Sequence, residues 1–264
     1  MIQAKVIADS ISDNNIRLTT LSLVYPRFIL AELNTHRMLS RNSASSRAIP
    51  TPKLLEIIQK EAAQPIHWGK NKPGMQAENE LDLLDKVCAV SQWHAAKIDA
   101  IRHAMELHKL GAHKQVVNRI IEPFMHAHTI VSGTDWGNFF LLRRHKDAQP
   151  EIHALATAMH DAMKQSLPTY KAQGQWHLPY ADDDNEILSR SVARCCRVSY
   201  MNHEGKPTTA EQDLALANKL KESGHWSPFE HQAVPLPGDW YSNNFRGWKQ
   251  LRRIIQDEPG YSFR

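Results

Sequence analysis

Hydrophobic and polar positions change their period several times along the chain, and each change predicts an element. Residues 3–8 and 16–24 hold alternating or consecutive apolar residues (Val6, Ile7; Ile16, Leu18, Leu21, Leu23, Val24) around Thr19 and Thr20, which predicts two strands. Ser12-Asp13-Asn14-Asn15 between them is turn chemistry, because short polar side chains bond their own backbone. Pro26 has its φ fixed for a first helical turn and predicts a helix to about Arg37. Thr51-Pro52 opens a second helix, whose apolar face is Leu54, Leu55, Ile57 and Ile58. Residues 64–77 contain Pro65, Gly69, Pro73 and Gly74 and read as a loop. Over residues 78–110, Leu81, Leu84, Val87, Trp93, Ile98, Ile101 and Met105 fall at helical spacing, and Gly111 supplies the cap.

Residues 114–121 predict a short helix stopped before Pro123, and 124–132 predict a strand. Thr134-Asp135 caps a helix to about Arg144, and Pro150 opens another with Ile152, Leu155, Met159 and Met163. Residues 167–185 read as a connector, 235–239 as a loop, and 187–198, 214–220 and 240–255 as helices. The acidic run Asp182-Asp183-Asp184 reads as a solvated linker.

Composition narrows the function. A chain of 264 residues can bury a real core, and no apolar run approaches the roughly 20 residues that span a bilayer. Met1-Ile2-Gln3-Ala4-Lys5 has no secretory hydrophobic region, so a cytoplasmic protein without membrane contact is expected. The net charge of +4 admits small anionic ligands. It does not require nucleic acid, and neither aromatic-basic interleaving nor a recognition helix is present. Cys88, Cys195 and Cys196 form neither a disulfide framework nor a zinc spacing; His225 and His231 lie six apart, and no metal is expected.

The stretch Asn34-Thr35-His36-Arg37-Met38-Leu39-Ser40-Arg41-Asn42-Ser43-Ala44-Ser45-Ser46-Arg47 stands out, with three arginines, four serines, two asparagines and one histidine. Arginine forks and hydroxyls at this density suit phosphate and carbonyl oxygens, although a basic surface loop has the same composition. The stretch resembles the signature of the flavin-dependent thymidylate synthases: Arg-His-Arg, seven residues, then Ser, with Asn-Glu before that Ser and an Arg after it. Thr35-His36-Arg37 stands for the triplet, Asn42 for the Asn, Ser45 for the Ser and Arg47 for the last Arg. Thr35 replaces the first Arg, and Ser43 replaces the Glu.

Three more segments carry the resemblance. Residues 111–123 are similar to a family segment in which a glycine turn leads into a helix; Gln115 stands for its Glu and Asn118 for its Ala, and Arg119 is retained. In residues 134–152, Asn138, Phe139, Leu142, Arg143, Ala148, Gln149, Glu151 and Ile152 fall in the family register. Residues 193–200 resemble its Ala-Arg-Val-Ser segment, and His225-Trp226-Ser227-Pro228-Phe229-Glu230-His231 its His-x-(Ser/Thr)-Pro-Phe-Glu-His segment. The family places these last two before the arginine-rich signature; here they follow it, as in a circular permutation.

The resemblance implies an α+β fold of flavin-dependent thymidylate synthase type, with a small antiparallel sheet packed by long helices. One domain over 1–264 and a homotetramer with shared active sites are expected. It implies reductive methylation of dUMP to dTMP with FAD as cofactor and with NADPH and methylenetetrahydrofolate as co-substrates. His36, Arg37, Asn138, His225 and Ser227 would hold the flavin. Glu32 (Gln in the family), Ser43, Ser45, Ser46, Arg47 and Arg119 would meet the nucleotide. Arg143 would be catalytic: a guanidinium stays charged at working pH and stabilises an ionised imide, which makes C5 more nucleophilic without a protein nucleophile at C6. Two other outcomes stand beside this one. Glu32 and Ser43 suit the same chemistry on dCMP or a modified uridylate. Loss of the arginine at Thr35 suits a nucleotide-binding protein without flavin, which absorbance of the purified protein would reveal.

Overall fold

The computed structural model describes residues 1–181, 188–202, 205–258 and 260–263. In chain order the elements are β1 (Gln3–Ser12), β2 (Arg17–Pro26), α1 (Leu30–Asn34), β3 (Ser40–Ser43), α2 (Thr51–Lys60), α3 (Leu83–Lys109), α4 (Lys114–Ile121) and β4 (His126–Gly133). They continue with α5 (Gly137–Arg143), α6 (Pro150–Gln165), β5 (Thr169–Lys171), α7 (Leu188–Arg197) and α8 (Ala210–Glu222). The described chain ends in β6 (Ala233–Pro235), β7 (Tyr241–Ser242), β8 (Phe245–Arg246), β9 (Trp248–Gln250) and α9 (Leu251–Asp257).

The main sheet runs β3-β4-β2-β1-β5. Its first four strands are antiparallel, as expected, and β5 joins β1 in parallel at Ser10–Ser12. Period-2 alternation divides the strands between two faces. One face presents Leu21, Leu23, Tyr25, Ala127 and Val131 to Ile152, Leu155, Ala156 and Met159 of α6. Each large apolar side chain buried in this way stabilises by roughly 1.5–3 kcal/mol. On the other face Ile130 packs with Tyr180, Cys195 and Val198 around α7. A separate cluster joins α2, α3 and α4 through Leu54, Ile58, Ile101, Val117 and Phe124.

Several expectations change. The helix after Pro26 is a 3-10 turn at Arg27–Ile29 followed by the single turn of α1. The Thr35 hydroxyl donates to Glu32 O (2.7 Å) and His36 N to Leu33 O (3.3 Å), so the chain turns off the helix there. Helix α3 starts at Leu83, because Leu81 N donates to Trp68 O and holds residues 78–82 in a loop. The expected helix over 240–255 is three short strands before α9: Asn243 (φ +55°) and Gly247 (φ +70°) adopt left-handed turns that a helix excludes. At Gly247 an added Cβ would lie 2.4 Å from Ile16 Cδ1. The connector 167–185 contains β5. Asp182, Asp183 and Asp184, and the start of the helix expected at 187, lie outside the described residues.

Candidate functional site

The arginine-rich stretch is mostly an edge strand. Residues 40–43 have no β-branched member, yet β3 pairs with β4 from Ser40↔Ser132 to Ser43↔Thr129. As edge strand it also divides its side chains between the two faces of the sheet. Ser40 and Asn42 turn to the α7 side, Arg41 and Ser43 to the α6 side. The candidate residues accordingly form three groups around one short strand.

The first group joins α1, β3 and α5. Arg143 Nε donates to His36 Nε2 (2.7 Å) and Arg143 Nη2 to Thr35 Oγ1 (3.2 Å). Arg41 Nη1 donates to His36 O, and the His36 ring stands edge-on to Phe139, with centroids 4.9 Å apart. Since Nε2 accepts, the geometry assigns the imidazole proton to Nδ1. Burial, then the charges of Arg143 and Arg41, push the His36 pKa below its ordinary value and favour the neutral ring. Burial lowers the Arg41 pKa, opposed by Glu230 and Tyr25. Among the described residues no carboxylate forms an ion pair with Arg37, Arg41, Arg47 or Arg143. The group therefore carries positive charge without a directly paired carboxylate among the described residues, with Glu230 acting on Arg41 from further away.

The second group lies where the stretch leaves β3. Ser46 donates its hydroxyl to Glu122, which also pairs with Arg27 (3.2 Å) and Arg119 (3.0 Å). Burial works against the Glu122 charge, but Ser46, Arg27 and Arg119 prevail and hold its pKa below the usual carboxylate value. Buried Asn118 fixes the loop: it donates to Ser46 O (2.8 Å) and Ile49 O (3.0 Å) and accepts from Thr51 Oγ1 (2.8 Å). Ser45 and Arg47 are exposed at the tip of this turn.

The third group lies on the α7 side. Asn42 Nδ2 donates to Cys195 O (2.7 Å), and Ser227 Oγ donates to Asn42 Oδ1 (3.0 Å). Both C-terminal segments are thereby tied to the same strand. On the opposite, α6 side, Ser43, in place of the family's Glu, forms a hydroxyl chain with Thr129 (2.8 Å) and buried Tyr25 (2.8 Å). Burial pushes the Tyr25 pKa up to about 12, so this phenol stays protonated.

Other candidates stay apart. Arg37 and Asn138 are exposed, and their side chains make no hydrogen bond or ion pair among the described residues. His225 is exposed and pairs with Ser223 Oγ (2.8 Å) at the end of α8. Glu32 has a buried Oε2 with no hydrogen-bond partner among the described residues. Arg41, Asn118 and Glu122 carry much of this geometry although sequence reasoning gave them no role. The signal for Arg41 was its place inside the stretch; for the other two there was none without tertiary contacts.

Comparison with known proteins places the chain. The family described as thymidylate synthase complementing protein matches residues 17–169, more than half of the chain, and the chain belongs to it. The match takes in the arginine-rich stretch and the 111–123 and 134–152 segments, and leaves 193–200 and 225–231 outside. Two solved structures share the fold: the UMP/dUMP methylase PolB from Streptomyces cacaoi, bound with 5-Br UMP or with 5-Br dUMP. The first has 16% identity and a TM-score of 0.50 over 62% of this chain and 89% of that one. The second has 15% identity and a TM-score of 0.52 over 62% and 90%. Among curated proteins none matches the sequence.

Proposed function

We propose that the chain methylates a pyrimidine deoxynucleotide, converting dUMP to dTMP with FAD, NADPH and methylenetetrahydrofolate, in a homotetramer with shared sites. The observation that carries the proposal is the cationic group of Arg143, Arg41 and neutral His36, without a directly paired carboxylate among the described residues and beside exposed Arg37. Such a group suits anions, and family membership and the fold of the PolB methylases favour nucleotide methylation. We also infer that the segment order is a circular permutation, since both displaced segments bond to Asn42.

The residues fit a flavin cofactor in charge and exposure. Arg37 and Asn138 are open to an approaching group, and Ser227 and Asn42 are already aligned. Thr35 in place of Arg removes one positive charge and Ser43 in place of Glu removes one negative charge, so the two departures cancel electrostatically. FAD, when bound, supplies the hydride that completes the transferred carbon as a methyl group. Arg143 spends Nε and Nη2 on His36 and Thr35, which leaves Nη1 for the imide of the pyrimidine. Holding that imide as its anion drives electron density to C5, where the new carbon bond forms. His36 fixes the guanidinium through an acceptor nitrogen and adds no charge that would repel it. Arg119, Ser45 and Arg47 take the phosphate, Arg119 by sharing itself between phosphate and Glu122, while buried Ser46 keeps its hydroxyl on Glu122 and supports the turn from behind.

One observation favours a second reading. The buried, unpartnered Glu32 Oε2 can accept an N–H from a ligand, which suits the exocyclic amine of dCMP better than the O4 of dUMP. Incubating the enzyme with FAD, NADPH, methylenetetrahydrofolate and labelled dUMP or dCMP tests both. Methyl transfer to dUMP that is lost in Arg143→Ala supports the first; transfer to dCMP alone supports the second. Protein without flavin absorbance that turns over neither defeats both.

A further inference from the structure

The last described strands build a second recess, outside the family match and outside the three groups around β3. Leu236, Trp240, Tyr241, Ser242, Asn243, Lys249 and Arg253 enclose a cleft of about 360 Å³. Trp240 and Tyr241 are each 53% exposed. The frame beneath them is fixed. Asn14 Nδ2 donates to Leu236 O (3.0 Å) and Gly238 O (3.1 Å), Leu236 N donates to Gly247 O (2.9 Å), and Gly247 N donates to Trp240 O (2.9 Å). The Trp240 ring lies directly against Gly238, where an added Cβ would come within 1.8 Å of Cζ3. Tyr241 is held in turn, its hydroxyl donating to Asp135 Oδ2 (3.2 Å) just before α5. Lys249 and Arg253 share a single carboxylate, Asp257 (2.9 and 3.0 Å), so the cleft keeps one net positive charge from these three groups.

An indole propped on a glycine, half open to solvent and flanked by cations, is a stacking platform with an anion site at its side. We propose that this cleft binds a planar heteroaromatic ring carrying an anionic group, the ring on Trp240 and the anion at Lys249 and Arg253. A nucleotide end and a pteroyl-glutamate both have that chemistry. The site does not depend on the methylation reading, since it shares no residue with the groups around β3.

Calorimetric titration of the full chain with ADP and, separately, with folinate tests this, and the probe that binds names the source. At least one probe binds, more weakly at high salt. Trp240→Ala weakens it by about tenfold or more, as loss of a stacked ring does. Trp240→Phe keeps the affinity within about threefold, because a stacking face remains. Lys249→Gln with Arg253→Gln removes most of the salt dependence. Titration of the unaltered chain with dUMP reads the other site separately: no dUMP binding while a probe binds would defeat the methylation reading alone. No heat from either probe at millimolar concentration, or equal affinity in Trp240→Ala, overturns the proposal.

Discussion

Arg143 Nε donates to the Nε2 of His36 across 2.7 Å, so a cation is held by the one ring nitrogen that must stay unprotonated. Protonating His36 would break that bond and set two charges against each other. The folded-state pKa of His36 is already lowered by burial and by Arg143 and Arg41. An acid limb of activity is therefore expected below the ordinary histidine value, with loss as pH falls through it. In His36→Asn, whose amide oxygen can still accept from Arg143, this limb should disappear while some turnover persists; a pH–rate profile of both proteins decides it.

Two further histidines bear on stability. His177 bonds to Ser10 (2.8 Å) and Thr20 (2.8 Å), Thr20 bonds to Ser132 (2.6 Å), and Ser132 bonds to His231 (2.8 Å). This buried chain ties the sheet to the segment after Ser227. Burial pushes both histidines down to about 3. Their folded pKa lies below the unfolded value, so their stabilisation is complete above the unfolded pKa and is lost as pH falls toward 3. Lowering pH from 7 to 5 should cost about 3–4 kcal/mol, roughly half from each ring. Denaturant unfolding at both pH values measures this, and His231→Gln should about halve the difference. Equal loss in that variant would show that other groups carry the acid sensitivity.

Asn118 is buried and makes three hydrogen bonds that fix residues 46–51. Asn118→Ala leaves Ser46 O, Ile49 O and Thr51 Oγ1 without these partners, and is expected to destabilise by about 2–4 kcal/mol. Nucleotide affinity should fall further than stability alone explains, because Ser45, Ser46 and Arg47 ride on this turn. Melting temperature and dUMP binding, measured together on the variant, check both parts.

Glu122 competes with any phosphate for Arg119. Glu122→Gln releases Arg119 and should tighten dUMP binding several-fold while costing about 1–3 kcal/mol of stability through Arg27 and Ser46. The carboxylate's folded pKa is lowered, so the stability it gives is present above the unfolded pKa and lost as pH falls through the folded one. Unchanged or weaker dUMP binding in the variant would take Arg119 out of the phosphate site.

Much of the architecture was legible because local rules and tertiary packing agreed. The apolar alternation of β2 and the helical spacing in α6 mark one continuous core. The C-terminal hairpin escaped because its turns rest on Asn243 and Gly247, while Leu251 and Ile255 of α9 extended a helical pattern backwards over it. The strand β3 escaped for a different reason: Ser-Arg-Asn-Ser has no β propensity, and only pairing with β4 makes it a strand. That pairing sends Arg41 toward His36 and Asn42 toward Ser227. The motif marked one stretch as the candidate site; the division of its residues between two faces needed the sheet.

The central claim is that Arg143 stabilises the N3 anion of a bound pyrimidine. Ultraviolet difference spectra of dUMP bound to the protein, recorded across pH, follow that ionisation directly. The imide should ionise at distinctly lower pH when bound than when free, and Arg143→Ala should return it to the free value while dUMP still binds. Ionisation of bound dUMP at the free value, or a lowered value that survives in Arg143→Ala, would contradict it.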